Sequence, residues 1–139
     1  MYTFILFLHV AGAVGMGIYV VLPIIAGRFR RLSTPAQEGL ASGLISAGRF
    51  GQFALVVQLL TGGYLMSQGD YSTSWIIAMG IVYLAIGALT GLVARPLKQI
   101  VATTSNGQSA TDAIARVRVF SILIVILFLV MLYMMTARW

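Results

Sequence analysis

Four long runs of apolar residues, separated by short polar segments, make up most of the chain. They predict helices at about residues 3–26, 35–66, 75–95 and 110–137 of a single domain, residues 1–139. A helix needs about 20 residues to cross the hydrocarbon core, and each run can supply them. Backbone polar groups cannot stay unpaired in lipid, so we expect helices rather than open strands. Residues 103–108 are the expected flexible connection.

Composition supports a membrane protein. Hydrophobic residues make up 60% of the chain and charged residues only 9%, whereas a soluble domain carries about 25% charged residues. The lipid bilayer is therefore the expected partner of this surface. The net charge of +6 would suggest nucleic acid in a soluble protein, but the basic residues cluster in two loops, which favours membrane topology instead. The predicted fold class is an all-α membrane protein, an antiparallel four-helix transmembrane bundle.

The distribution of basic residues predicts the orientation of this bundle. Eight of the nine Lys and Arg residues flank the first and third connections, and the remaining one is Arg138; the eight are Arg28, Arg30, Arg31, Arg49, Arg95, Lys98, Arg116 and Arg118. The positive-inside rule places those two connections in the cytoplasm. Both termini are then outside, and we expect a multi-pass protein of the bacterial cytoplasmic (inner) membrane.

Small residues and one proline indicate how the helices pack. Small residues allow close helix contact in lipid, and we interpret them as packing inside the bundle rather than as a dimer interface. Those of helix one are Ala11, Gly12, Gly15 and Gly17, and those of helix three are Gly80, Gly87 and Gly91. Pro23 predicts a kink near the end of helix one, because it cannot donate to the carbonyl of Tyr19.

His9 is the only histidine and lies about two turns into the first helix. An ionisable residue at this depth is a functional candidate, because burying it in lipid is costly. A neutral imidazole can ligate heme iron, copper or zinc, or relay a proton. The alternative is a structural histidine bonded to a neighbouring helix. The ring is expected to face the bundle interior, where Gln58, Thr61 and Tyr83 reach a similar depth.

Two groups of residues join His9 as site candidates. Gln58 and Tyr83 are candidates for binding a cofactor beside the imidazole. Met79 and Met131 are candidate metal ligands, because thioethers bind Cu(I) and heme iron. The alternative for both methionines is apolar filling of the core.

Absent motifs limit the function classes. The sequence has no cysteine, which excludes disulfides and thiolate metal sites. It has no G-x-S-x-G, H-E-x-x-H or P-loop motif, and the helices contain no buried carboxylate of the kind that ion-coupled transporters use. Catalytic residues are therefore not assigned, and enzymatic activity is disfavoured.

The first helix carries a recognisable pattern, which is Phe7-Leu8-His9-Val10-Ala11-Gly12-Ala13 followed by Gly15, Gly17, Leu22-Pro23 and Arg28. It resembles the opening of the copper-resistance D-type membrane proteins and of the four-helix bacterial protoporphyrinogen oxidases. The small uncharacterised predicted integral membrane proteins of that superfamily look most similar. Their second helix is also similar to Gly48-Arg49-Phe50 and Leu60-Thr61-Gly62-Gly63-Tyr64.

This resemblance implies heme b or copper bound through His9. No second histidine is present, so a second ligand would come from Met, Tyr, a partner chain or water. Two hypotheses follow: a heme- or copper-associated membrane protein, or a non-enzymatic accessory or scaffold subunit without a cofactor. A homo-oligomer or a larger membrane complex remains open as the assembly.

Overall fold

The computed structural model describes residues 1–108 and 110–137, which form helices joined by short turns. The helices are α1 Tyr2–Met16, α2 Ile18–Ala26, α3 Thr34–Ser67, α4 Thr73–Leu92, α5 Ala94–Ser105 and α6 Thr111–Thr136, with a single 3₁₀ turn at Phe29–Arg31. α1 with α2 forms one span and α4 with α5 another, so four spans are long and apolar enough to cross a membrane. The predicted all-α, multi-pass architecture is confirmed. Arg138 lies outside the described residues.

The third span continues to Ser105, well beyond the predicted end at residue 95. α5 therefore includes part of the stretch expected to be flexible. The helix continues because one of its faces is buried, through Leu97, Ile100 and Thr104. The Thr104 hydroxyl also donates to the Ile100 carbonyl oxygen at 2.6 Å.

Two spans are interrupted near their middle. At Gly17 the α-helical hydrogen bonds between residues four apart are replaced by bonds between residues three apart. The Gly17 N–H donates to the Val14 carbonyl oxygen and the Val20 N–H to the Gly17 carbonyl oxygen, both at 3.0 Å. Pro23, the predicted kink position, lies inside α2 instead. The second interruption is at Val93, where Pro96 lacks the N–H that would bond the Leu92 carbonyl.

Each interrupted span packs against one helix before its break and against a different helix after it. α1 packs mainly on α3 and α2 on α6, while α4 packs mainly on α6 and α5 on α3. One end of the bundle, where Tyr2, Tyr71 and Met135 come together, therefore consists of two helix pairs, α1–α3 and α4–α6. We name it the terminal end, and the opposite end, which carries Arg49 and Lys98, the basic end.

Close contact between helix one and α3 depends on glycines, as predicted for Gly12 and Gly15. The prediction is wrong for the other two small residues of helix one, because Ala11 is exposed and a methyl group at Gly17 would meet only Val14 of its own span. A methyl group added at Gly12 would lie 3.2 Å from Gln58 Cγ, and one at Gly15 would lie 3.1 Å from Ala54 Cβ. α3 contributes a glycine of its own, since a methyl group at Gly51 would lie 2.6 Å from the Tyr19 hydroxyl oxygen.

The same prediction is wrong for helix three. A methyl group at Gly80 or Gly87 would meet no described atom within 4 Å, and one at Gly91 would meet only Gln52 Nε2, at 3.8 Å. The buried face of α4 is formed by large side chains instead, among them Trp75, Met79 and Ile86. The Trp75 indole N–H also donates to the Met134 carbonyl oxygen at 2.9 Å, which joins α4 to the end of α6.

The outer surface of the bundle is strongly apolar. Large hydrophobic side chains stand exposed on every span, including Phe7, Phe53, Leu60, Leu84 and Leu129. Such a surface is stable in lipid and not in water. The composition and the exposed surface thus agree that this is a multi-pass membrane protein.

Candidate functional site

A cleft separates the two helix pairs at the terminal end of the bundle. It has two lobes of about 190 Å³ and about 230 Å³. Both lobes share five lining residues, which are His9, Gly62, Met66, Met79 and Met135. We name this space the His9 cleft. It exists because α1 follows α3 while α4 follows α6, so that no helix fills the space between the pairs.

The structure places the candidate residues predicted from the sequence around one cavity. The smaller lobe is lined by all five, namely His9, Gln58, Tyr83, Met79 and Met131. Met66 and Met135 lie there too, although the sequence pattern did not distinguish them from other methionines of that half. Counting residues from the helix ends predicts a common depth, but it does not predict which residues share a face.

His9 is anchored to α3 by Thr61, as the sequence predicted for one of its expected partners. Nδ1 of the imidazole lies 2.9 Å from Thr61 Oγ1. The same hydroxyl lies 2.6 Å from the Val57 carbonyl oxygen, one turn earlier in α3. A threonine hydroxyl has a single proton, and we assign it to the shorter bond with Val57. Thr61 Oγ1 then accepts a hydrogen bond from the Nδ1–H of His9.

This tautomer leaves a lone pair on His9 Nε2. The second ring nitrogen has no hydrogen-bond partner among the described residues. The ring is half-buried and lines both lobes of the cleft. Fixing one nitrogen through an N–H···O bond while the other remains free is how proteins orient a metal-binding histidine.

Gly62 provides the space for this ring. A methyl group added at Gly62 would lie 3.3 Å from His9 Cε1 and 3.8 Å from Nδ1. A side chain at this position would press on the imidazole, which would have to shift by a few tenths of an ångström. The glycine therefore sets the position of the ring, which could not be inferred from the sequence without knowing that the two residues face each other.

Gln58 is buried in the wall of the cleft with an unsatisfied side chain. It is 4% exposed, and neither its amide nitrogen nor its amide oxygen has a hydrogen-bond partner. Leaving such a group unpaired costs about 1–3 kcal/mol. His9 was expected to contact Gln58 or Thr61, and its hydrogen bond goes to Thr61. The Gln58 amide is thus available to a polar group that enters the cleft.

Tyr83 and the methionines form the remaining wall. The Tyr83 hydroxyl donates to the Leu55 carbonyl oxygen, so its proton is used to join α4 to α3. Met79 is 7% exposed and Met131 is 1% exposed. Both side chains are therefore almost fully buried, and both line the lobe that His9 also lines.

The donor set around the cleft is soft and uncharged. It contains one imidazole, the four thioethers of Met66, Met79, Met131 and Met135, and one amide. The described residues hold no cluster of three or more His, Cys, Asp or Glu that could bind a metal ion. Hard ions such as Mg²⁺ and Ca²⁺ need oxygen ligands, whereas thioether and imidazole favour Cu(I).

The cleft opens sideways as well as toward the terminal end. Leu59 and Ile76, which line the smaller lobe, are 55% and 42% exposed. Gly63 and Gly80 also line it and are exposed. A ligand can therefore reach His9 between α3 and α4.

Comparison of the chain with models of protein families, with curated proteins and with solved structures finds no match.

Proposed function

We propose that this chain is a small membrane protein that binds Cu(I) through Nε2 of His9 and methionine thioethers. The observation that carries the proposal is the 2.9 Å bond between His9 Nδ1 and Thr61 Oγ1. It directs the imidazole so that a free lone pair borders a methionine-lined cleft. The proposal is one of binding, and it assigns no catalytic step to any residue.

Three features of the cleft support a bound soft metal. The ligand types match Cu(I), which accepts imidazole nitrogen and thioether sulfur. Gly62 leaves room for the imidazole. The buried Gln58 amide has no protein partner and can hold a water or a polar group beside the ion. His9 would hold the ion directly, with Met79 and Met131 as the thioether ligands.

Heme is the second candidate, and one observation favours it. Gly62, Gly63 and Gly80 line the same lobe, and a flat molecule can enter where side chains are missing. His9 would supply the axial nitrogen, and a methionine of the cleft the second axial ligand. Among residues 1–108 and 110–137, no Lys or Arg lines either lobe, so the propionate groups would lack a cationic partner from that part of the chain. For this reason we rank copper first.

We further infer an antiparallel bundle with both termini outside the cytoplasm of a bacterial inner membrane. Contacts between helix one and α3 support it, because His9 meets Thr61 while Tyr19 meets Gly48. The cluster of cations at the basic end supports a cytoplasmic position for that end. The His9 cleft then lies in the outer half of the bilayer.

Metal binding can be measured on the full chain purified in detergent under reducing, oxygen-free conditions. Titration of Cu(I) against a chromophoric chelator is expected to give one ion per chain, and His9→Gln is expected to abolish it. X-ray absorption of the copper-loaded protein should show nitrogen and sulfur neighbours. Addition of hemin to a separate sample, followed by removal of the unbound hemin, tests the second candidate, which predicts a Soret band that elutes with the protein and that His9→Gln removes.

The outcome also decides the scaffold alternative. If wild-type protein binds neither Cu(I) nor heme, both metal proposals fail, and an accessory role without a cofactor is the remaining interpretation. Helical content and the elution volume of His9→Gln must match those of wild type, so that loss of binding is not loss of folding.

The orientation has its own test. The chain contains no cysteine, so single cysteines can be placed without background labelling. A membrane-impermeant thiol reagent applied to whole spheroplasts should label a cysteine placed at Gly69 and not one placed at Asn106. The reverse pattern would overturn the inferred topology.

A further inference from the structure

A second cavity lies at the basic end of the bundle. It holds about 140 Å³ and is bounded by helix one, α3 and the α4–α5 span. It shares no lining residue with the His9 cleft. Arg49 of α3 and Lys98 of α5 both line it, together with the polar side chains of Gln52, Tyr19 and Thr90. We name it the basic-end cavity.

The charge of this cavity is uncompensated. The whole chain has only three acidic side chains, which are Glu38, Asp70 and Asp112. None of them lines the cavity. Two cations that border one small space repel each other, and an anion between them removes that repulsion. The cavity is therefore electrostatically complementary to an anionic group.

Hydrogen-bond donors are concentrated at the exposed side of the cavity. Arg49, Gln52 and Lys98 are exposed and supply N–H donors there. Gln52 Nε2 lies beside Gly91, 3.8 Å from the position that a methyl group at this glycine would take. Arginine and lysine bind phosphate oxygens through charge-assisted hydrogen bonds, which are stronger than neutral ones.

The deeper part of the cavity is different in character. Tyr19 is 2% exposed and its hydroxyl donates to the Gly48 carbonyl oxygen at 3.2 Å. Thr90 is 4% exposed and donates to the Gly87 carbonyl oxygen at 3.0 Å. Their protons are therefore used within the protein. The rest of the wall is apolar, with Ile18, Leu22, Leu44, Val93 and Leu97.

We propose that the basic-end cavity binds the phosphate head group of an anionic membrane phospholipid. Arg49, Lys98 and Gln52 hold the phosphate, and the apolar wall receives the first part of an acyl chain. A free phosphate ion would use the cations but would leave this apolar wall without a partner. Basic pockets between membrane helices on the cytoplasmic side are suited to anionic head groups. The proposal is independent of metal binding at His9.

The test is native mass spectrometry of the full chain released from nanodiscs that contain equal amounts of phosphatidylglycerol and phosphatidylcholine. Wild type is expected to retain one phosphatidylglycerol molecule. Arg49→Gln and Lys98→Gln should each lower the retained fraction about tenfold, as expected for loss of one charge-assisted hydrogen bond. Gln52→Leu keeps both charges and should lower it by a smaller factor.

The matched control is Arg30→Gln, which removes one positive charge from an exposed residue that does not line the cavity. It should retain phosphatidylglycerol like wild type. Equal losses for Arg30→Gln and Arg49→Gln would mean that net charge alone attracts the lipid, and the proposal would be overturned. Unchanged retention in the Arg49→Gln, Lys98→Gln double variant would overturn it as well.

Competition separates the two sources of phosphate. Millimolar inorganic phosphate or glycerol phosphate is expected to leave lipid retention unchanged, because neither occupies the apolar wall. Displacement of the lipid by inorganic phosphate would identify a phosphate-ion site and would contradict the assignment to a phospholipid. Each variant is first checked for wild-type helical content and elution volume. If Arg49→Gln and Lys98→Gln fail this check, Gln52→Leu decides.

Discussion

His9 on α1 and Thr61 on α3 are joined by a hydrogen bond of 2.9 Å between Nδ1 and Oγ1. The Thr61 hydroxyl is itself held by the Val57 carbonyl oxygen at 2.6 Å. The two bonds form a short relay that begins at the backbone of α3 and ends on the imidazole. Its consequence is a free Nε2 beside the cleft, and most of the proposed chemistry depends on it.

Thr61→Val should weaken metal binding without removing a ligand. Valine keeps the shape of threonine but cannot accept the Nδ1–H of His9, so the ring loses its orientation. Partners of this kind typically contribute about 10- to 100-fold to metal affinity. Thr61→Ser keeps the hydroxyl and should bind Cu(I) nearly as tightly as wild type. The measurement is chelator competition, and equal affinity of Thr61→Val and wild type would show that the relay has no role.

Gln58→Leu should have opposite effects on the empty and the loaded protein. Leucine has a similar volume and no polar atoms, so it removes the unsatisfied amide, which costs about 1–3 kcal/mol. The melting temperature of the metal-free protein in detergent should therefore rise. If Gln58 supports a ligand or its water, the increase in melting temperature on adding Cu(I) should become smaller than in wild type.

Two results for Gln58→Leu would contradict this prediction. A lower melting temperature of the metal-free variant would mean that the amide is satisfied by ordered water, which the leucine displaces. An unchanged response to Cu(I) would place Gln58 outside the ligand environment.

The sequence predicted the depth of the candidate residues along the bundle better than it predicted the packing. The apolar runs give the helix lengths, and these give the depth of each residue along the bundle axis, so His9, Gln58 and Tyr83 could be placed at one level. Met79 and Met131 were candidates because of their thioethers, and the sequence placed them no more precisely than in the same half of the bundle. The breaks at Gly17 and Val93 and the exchange of neighbours between spans depend on tertiary contacts, and no local pattern predicts them.

The sequence alone does not show which glycines contact a neighbouring helix. Gly12 and Gly80 look equivalent in sequence, since each lies in an apolar helix. Only Gly12 contacts a neighbouring helix, because the buried face of α4 is defined by Trp75, Met79 and Ile86. Gly62 received no role from the sequence, and its importance appears only once His9 is seen to lie beside it.

Two glycines of α3 provide a matched pair for testing this packing. Gly51→Ala would place a methyl group 2.6 Å from the Tyr19 hydroxyl oxygen and 2.7 Å from ring carbons of the same residue. The ring must move, and overpacking of this kind costs about 1–3 kcal/mol. Gly43→Ala meets no described atom within 4 Å and should be neutral or stabilising by about 0.5–1 kcal/mol, because alanine is the better helix former.

Thermal unfolding in detergent, followed by circular dichroism, distinguishes the two. Gly51→Ala should melt below wild type and Gly43→Ala at or above it. If both variants melt at the same temperature, helix one and α3 are not in close contact at Tyr19.

The methionines of the cleft allow the metal hypothesis to be separated from core filling. Met79→Leu and Met131→Leu remove the thioethers but nearly conserve volume, so the stability of the fold should change by less than about 1.5 kcal/mol. If the sulfurs bind Cu(I), each variant should lose affinity, and the sulfur contribution to the X-ray absorption spectrum should fall. Met16→Leu is the control, because Met16 is fully buried but does not line the cleft. It should bind copper like wild type. Wild-type affinity in both cleft variants would mean that these two methionines only fill space, and that Met66 or Met135, which also line the cleft, would have to supply any thioether ligand.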